Sequence, residues 1–101
     1  MRPTRSMNPQ RTHAIRRARQ RYGMRIDNSL FDLLCADCAR GATADSSIKV
    51  LGIQESGRVQ IIKLRFLGEW VLIAFDVETQ CVRTFFPPGA RYIKGISVES
   101  A

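Results

Sequence analysis

A chain of 101 residues, 45% of them apolar, has room for one domain with an ordinary hydrophobic core. No apolar run approaches the roughly 20 residues that cross a membrane, no secretory signal is expected, and the odd number of three cysteines favours a reducing, cytoplasmic compartment. The net charge of +7 is uneven, because residues 1–25 hold eight arginines and no acidic residue, whereas residues 26–101 hold eight basic and nine acidic residues.

The amino-terminal residues 1–7 are expected to form a disordered basic arm, and residues 8–101 a single α+β domain. An Asn-Pro pair at positions 8–9 is typical of a helix start, since asparagine caps free N–H groups and proline suits the first turn. We predict a helix over residues 9–22 that ends at Gly23. Its apolar stripe is narrow, and its opposite face is basic.

A second helix is predicted over residues 29–40, where apolar side chains recur at steps of three and four. Cys35 and Cys38 fall on this apolar stripe. A metal site would need two more ligands, and Cys81 and His13 are the only candidates. We therefore expect these cysteines to fill the core, and we predict no metal and no cofactor.

From residue 48 the apolar period changes to two, which indicates strands. Four strands are predicted, over residues 48–54, 58–66, 69–75 and 80–86. Short turns make neighbouring strands antiparallel, so the fold class is α+β, with two helices packed on one face of a four-stranded antiparallel meander sheet. Residues 90–98 are a candidate for a short additional edge strand. Five aromatic side chains are expected in the core: Phe66, Trp70, Phe75, Phe85 and Phe86.

His13, the only histidine, lies on the predicted polar face of the first helix, four residues before Arg17 and eight before Arg21. Positions at this spacing line one side of a helix. A histidine moves protons near neutral pH, and arginines stabilise the charge that a phosphate gains in a transition state. The set suits metal-free RNA cleavage by the ribose 2′-hydroxyl. From spacing alone, a solvated histidine in a basic helix is the simpler interpretation.

The run from residue 13 to 24, HAIRRARQRYGM, resembles the H-a-x-x-R-x-x-x-R-x-G opening of small bacterial and phage proteins that are similar to RelE-like toxins, with the barnase–colicin–RelE ribonuclease fold. Residues 71–76 and 82–88 resemble the two closing strands of that family. Tyr22 adds one residue to the family's tighter spacing. The resemblance implies a RelE-like or barnase-like fold and four catalytic residues: His13, Arg17, Arg21 and Thr84.

Other basic side chains are candidates for binding nucleic acid: Arg16, Arg19, Lys63, Arg65 and Arg83. The last three would form a basic wall beside the first helix if they emerged on one open face of the sheet. Alternation along a strand places Arg83 and Thr84 on opposite faces, so both reach one surface only through a bulge. Ordinary snorkelling charges at the sheet edges are the alternative.

The arginine excess favours a nucleic-acid partner. The resemblance implies RNA rather than DNA, in a bacterial or phage-infected cell. Three functions stay open. The first is a metal-independent endoribonuclease of toxin type, with an antitoxin or host protein as a possible partner. The second is a non-catalytic phage or bacterial regulator that binds RNA, DNA or a host nucleic-acid enzyme. The third is a small structural or virion protein that meets an acidic partner. No membrane partner is expected.

Overall fold

The computed structural model describes residues 9–98, and the predicted basic arm lies outside them. The helices are α1 (Pro9–Tyr22) and α2 (Asn28–Arg40). The long strands are β1 (Ile48–Gln54), β2 (Val59–Phe66), β3 (Glu69–Asp76) and β4 (Cys81–Phe85). Two short strands follow, β5 (Tyr92–Ile93) and β6 (Ile96–Ser97). These bounds lie within one residue of the predicted ones for both helices and for all four long strands.

The four long strands form one antiparallel sheet in the order β1-β2-β3-β4. This is the predicted meander, and the α+β class is confirmed. Side chains on one face of the sheet pack against both helices around Phe31, Ile73 and Phe85. A smaller cluster on the other face includes Ile61 and Leu72 and packs under the carboxyl-terminal segment. The central strand β3 is therefore covered on both sides, as its apolar sequence predicts.

Local sequence explains why the helices form where they do. The Asp27 carboxylate caps α2 by accepting a hydrogen bond of 2.8 Å from the backbone N–H of Leu30. Gly23 ends α1 with a φ of 66°, a left-handed conformation that glycine adopts at little cost. Ala14 and Ala18 are fully buried, and their small side chains let α1 lie close against β4. No helix in residues 9–98 is long and apolar enough to span a membrane.

Residues 90–98 do not extend the main sheet as an edge strand. Strands β5 and β6 pair with each other in a separate two-stranded sheet, and Ile93 and Val98 cover the second face. At the end of β4, the carbonyl of Phe85 accepts a hydrogen bond from Arg21 of α1, and the Tyr22 hydroxyl bridges the carbonyl of Phe86 and the N–H of Leu72 on β3.

The prediction that Trp70 lies in the core is wrong. Its side chain is 40% exposed, whereas Phe66, Phe75 and Phe85 are buried. Trp70 lies near the start of β3, where the strand extends beyond the cover of the core, and it pairs across the strands with Arg65.

Candidate nucleic-acid interface

The fold brings His13 and Thr84 together although they lie 71 residues apart in sequence. His13 Nε2 on α1 is 3.2 Å from Thr84 Oγ1 on β4, a hydrogen-bond distance. His13 is exposed and Thr84 is half-buried. The hydroxyl can donate or accept, so it holds one ring nitrogen and fixes the orientation of the imidazole while the rest of the ring faces solvent.

Thr84 reaches this position through a bulge in β4. Thr84 pairs with Ala74, and Val82 pairs with Phe75, so Arg83 is an extra residue between them. Arg83 contacts Asp76, which alternates with Ala74 onto the same face of β3. The bulge therefore turns the side chains of Arg83 and Thr84 toward the same face of the sheet. Regular alternation along the strand would place them on opposite faces.

Two predicted phosphate-binding arginines follow His13 on the same flank of α1. Arg21 Nη1 donates to the carbonyl of Phe85 at 2.7 Å, and Arg17 Nη1 donates to Gln20 Oε1 at 2.6 Å. Both side chains are half-buried. Within residues 9–98 neither arginine pairs with a carboxylate. Their charges are therefore positioned by neutral acceptors and stay available to an anion. We call His13, Arg17, Arg21 and Thr84 the histidine site.

The opposite flank of α1 carries a second basic surface. A groove of about 820 Å³ runs between α1 and the segment that leads into α2. Three exposed arginines line it, Arg16, Arg19 and Arg25, and none of them has a hydrogen bond or ion pair in the described part of the chain. We call these three residues the arginine groove. Sequence reasoning missed Arg25 as a member, although the run of charge from residue 1 to 25 includes it.

Arg11 also lines this groove, but its charge is compensated. Arg11 Nη2 lies 2.8 Å from Asp32 Oδ1, and its guanidinium lies 4.6 Å from the centre of the Phe31 ring. Arg11 thus fastens α1 to α2 and is part of the scaffold under the basic surface.

The predicted wall of three sheet cations does not form. Arg83 pairs with Asp76 and Glu55, each at 3.1 Å, whereas Lys63 and Arg65 lie at 5.2 and 5.6 Å from the centre of the Trp70 ring. Six residues of an extended strand separate Trp70 from Asp76, about 20 Å. Lys63 and Arg65 therefore lie near the start of β3, and Arg83 lies near its end. The charge of Arg83 is compensated by Asp76 and Glu55.

Asp76 is the buried centre of a network at the end of β3. It has no exposed surface and accepts hydrogen bonds from the backbone N–H groups of Glu78 and Thr79 and from Arg58 and Arg83. Burial alone raises the pKa of a carboxyl group, but here the hydrogen bonds from Thr79, Arg58 and Arg83 outweigh it and lower the pKa of Asp76. The sequence pattern indicates only a turn at this position.

The three cysteines are reduced and buried. Cys35 and Cys38 lie in the core cluster that both helices share, as predicted, and burial raises the pKa of Cys38 to about 12. Cys35 Sγ accepts a hydrogen bond of 3.4 Å from the backbone N–H of Val82. In residues 9–98, no group of three or more His, Cys, Asp or Glu side chains is arranged to hold a metal ion.

The chain matches no protein-family model, no curated protein and no solved structure at a significant level. The candidate interface is therefore identified from the positions and charges of the chain's own side chains, without a relative to compare. The two flanks of α1 differ in chemistry: one carries the histidine site, and the other carries the arginine groove.

Proposed function

We propose that this domain is a RelE-like, nucleic-acid-binding protein of the cytoplasm that binds single-stranded RNA along α1 and cleaves it as a metal-independent endoribonuclease. The observation that carries the proposal is the contact of His13 with Thr84 beside Arg17 and Arg21. This contact supports the proposal because a candidate base, a group that would orient it and two cations able to bind a phosphate lie on one flank of α1.

In the proposed reaction, His13 accepts the proton of a ribose 2′-hydroxyl as that oxygen attacks the adjacent phosphorus. The O2′–P bond forms and the P–O5′ bond breaks, and the leaving 5′ oxygen takes a proton from water. The products are a 2′,3′-cyclic phosphate and a free 5′-hydroxyl, and His13 returns its proton to solvent. Arg17 and Arg21 stabilise the added negative charge on the phosphate. Thr84 acts through His13, as a positioning residue.

Replacing His13 tests the catalytic part of the proposal. His13→Ala should lower the cleavage rate of a single-stranded RNA by about 100-fold or more, because general base catalysis typically contributes that much. Its RNA affinity should stay close to that of the wild type, since the arginines remain. Rates come from denaturing gels, and the cyclic ends of the products from their resistance to a phosphomonoesterase before acid opens the cyclic phosphate and their sensitivity afterwards. Cleavage at an unchanged rate in His13→Ala would remove His13 from the reaction.

A second function, RNA binding without cleavage, is favoured by the arginine groove. Arg16, Arg19 and Arg25 are exposed and unpaired in the described part of the chain, and they lie on the flank of α1 away from His13. Such a groove binds phosphates without any need for a catalytic base. A wild-type protein that binds RNA tightly and leaves it intact would favour this function over the first.

A further inference from the structure

We propose that the pocket around Trp70 binds one unpaired nucleobase of the same RNA strand whose phosphate lies at the histidine site. The inference rests on the proposed function, since it names the kind of RNA that the domain holds and a subsite for it. We call the residues Tyr22, Lys63, Trp70, Leu72 and Pro88 the tryptophan pocket.

The tryptophan pocket has the size and lining of a site for a flat, anionic ligand. Its volume is about 340 Å³, within the usual range for small-molecule sites. Trp70 is 40% exposed on its inner wall, and Leu72 and Pro88 add apolar surface. A nucleobase stacks on an exposed indole whatever its sequence, because every base has a π face.

Two cations lie over the indole ring of Trp70. Lys63 Nζ and the Arg65 guanidinium lie 5.2 and 5.6 Å from the ring centre. None of the described residues that line the pocket is acidic. An indole ring with two cations packed against it fits an anionic aromatic ligand such as a nucleotide better than a neutral or cationic ligand.

The wall of the pocket is held in place by the same helix that carries His13. Tyr22 donates a hydrogen bond of 2.7 Å to the carbonyl of Phe86 and accepts one of 3.1 Å from the N–H of Leu72. Its hydroxyl therefore ties α1 to β3 and to the residue that follows β4, beside the pocket. Because hydrogen bonds already hold this wall in place, the pocket loses little conformational entropy when a ligand binds.

The spacing along β3 lets one strand reach both sites. Thr84 pairs with Ala74, and Trp70 lies four residues before Ala74 on the same face of β3, which is about 13 Å at roughly 3.3 Å per residue. A stacked strand covers this distance in about four nucleotides at roughly 3.4 Å each. Arg17 and Arg21 lie between the two sites and would meet the intervening phosphates.

Trp70 is the only tryptophan of the chain, so its fluorescence reports on this pocket alone. The probe is a short 2′-O-methyl oligouridylate, which binds but has no free 2′-hydroxyl to react. Binding is followed by the anisotropy of a labelled copy. We expect the oligonucleotide to quench the fluorescence of the wild-type protein with the same midpoint as the anisotropy change. An oligonucleotide of the same length without bases should bind more weakly and should not quench.

Trp70→Ala should weaken binding of the oligouridylate by about 5- to 150-fold, the range that one stacked base contributes. Tyr92→Ala is the matched control, because Tyr92 is an exposed aromatic residue on β5 outside the pocket. The affinity of this variant for the oligouridylate should equal that of the wild type. Circular dichroism checks that both variants fold. The quenching of the wild-type protein stands independently of either variant.

The outcomes separate the two proposals. Binding without quenching, with Trp70→Ala unchanged, overturns the tryptophan pocket and leaves the RNA-binding function in place. Equal quenching by the same length of duplex overturns the requirement for an unpaired base. Absence of binding to any of these nucleic acids overturns the pocket and the proposed function together.

Discussion

Asp76 stabilises the end of β3 through hydrogen bonds that the sequence does not reveal, since the sequence pattern indicates only a turn there. Its carboxylate is fully buried and lies 3.1 Å from both Arg58 and Arg83. Taking a charge out of water is costly unless hydrogen bonds compensate it, and four donors do so here. Arg83 is thereby committed to the scaffold, which the alternation of strand residues does not reveal.

The lowered pKa of Asp76 makes the stability of the fold sensitive to acid. The ionised carboxylate is favoured in the folded state, so its contribution is complete above the unfolded-state pKa of about 3.9. It is lost as the pH falls through the lower folded-state pKa. Urea unfolding of the wild-type protein between pH 7 and 2, with about one pH unit between steps, should show this loss below about pH 4.

Asp76→Asn should lower the free energy of unfolding at pH 7 by about 1–3 kcal/mol, because it leaves arginine donors without their carboxylate. The variant should also lose part of the acid dependence. Asp37→Asn is the control, since Asp37 pairs on the helix surface with Arg40 and such pairs contribute little. Equal acid dependence in the wild type and in Asp76→Asn would contradict the role of this carboxyl group.

The residues of the histidine site differ in how far sequence alone could predict them. The spacing of His13, Arg17 and Arg21 predicts one flank of a helix, and the structure has them there. Thr84 followed only from the resemblance, because its position depends on a bulge that tertiary pairing creates. The contact between His13 and Thr84 joins elements at opposite ends of the chain, and no local pattern carries that information.

At the scale of elements, the helices and long strands were predictable because their signals are strong and local. Caps, glycine stops and apolar periods mark the bounds of α1, α2 and the four strands of the sheet. The carboxyl-terminal segment was not predictable, since a short apolar alternation does not tell whether it will pair with a sheet edge or cover a sheet face. In the folded chain, β5 and β6 pair with each other, and their segment covers the second face of the sheet.

The arginines of α1 should set the salt dependence of RNA binding. Each phosphate contact that is lost should reduce the slope of log affinity against log salt by about 0.7 for a single strand. The double variant Arg16→Ala/Arg19→Ala should therefore reduce the slope by about 1.4, measured by anisotropy between about 50 and 200 mM salt. Arg40→Ala removes an exposed arginine of α2 and should leave the slope unchanged. An unchanged slope in the double variant would show that the arginine groove does not touch RNA.

At the scale of the whole molecule, two apolar layers flank one sheet, and the second layer depends on a close approach at Gly52. A Cβ at this position of β1 would collide with the side chain of Ile96 on β6. A second bulge in β1, between Val50 and Gly52, adjoins this contact. The close packing of Ile96 on β1 therefore depends on the absence of a side chain at Gly52.

Gly52→Ala should lower the free energy of unfolding by about 1–3 kcal/mol, because overpacking forces the second layer away from the sheet. Combining it with Ile96→Ala should recover part of that loss, with a coupling energy of about 0.5 kcal/mol or more in a double-mutant cycle. Urea unfolding of the four proteins gives the cycle. Strictly additive effects would mean that Ile96 does not limit the space at Gly52.

The hydrogen bond from Arg21 to the carbonyl of Phe85 also covers the end of the β4 edge. An open strand edge is a template on which another chain can add a strand, and repeated addition leads to aggregates. In this fold α1, the helix proposed to bind nucleic acid, also lies against the end of that edge. Detachment of α1 is therefore expected to favour intermolecular β-sheet and insolubility, and a bound polyanion that holds α1 in place should delay both.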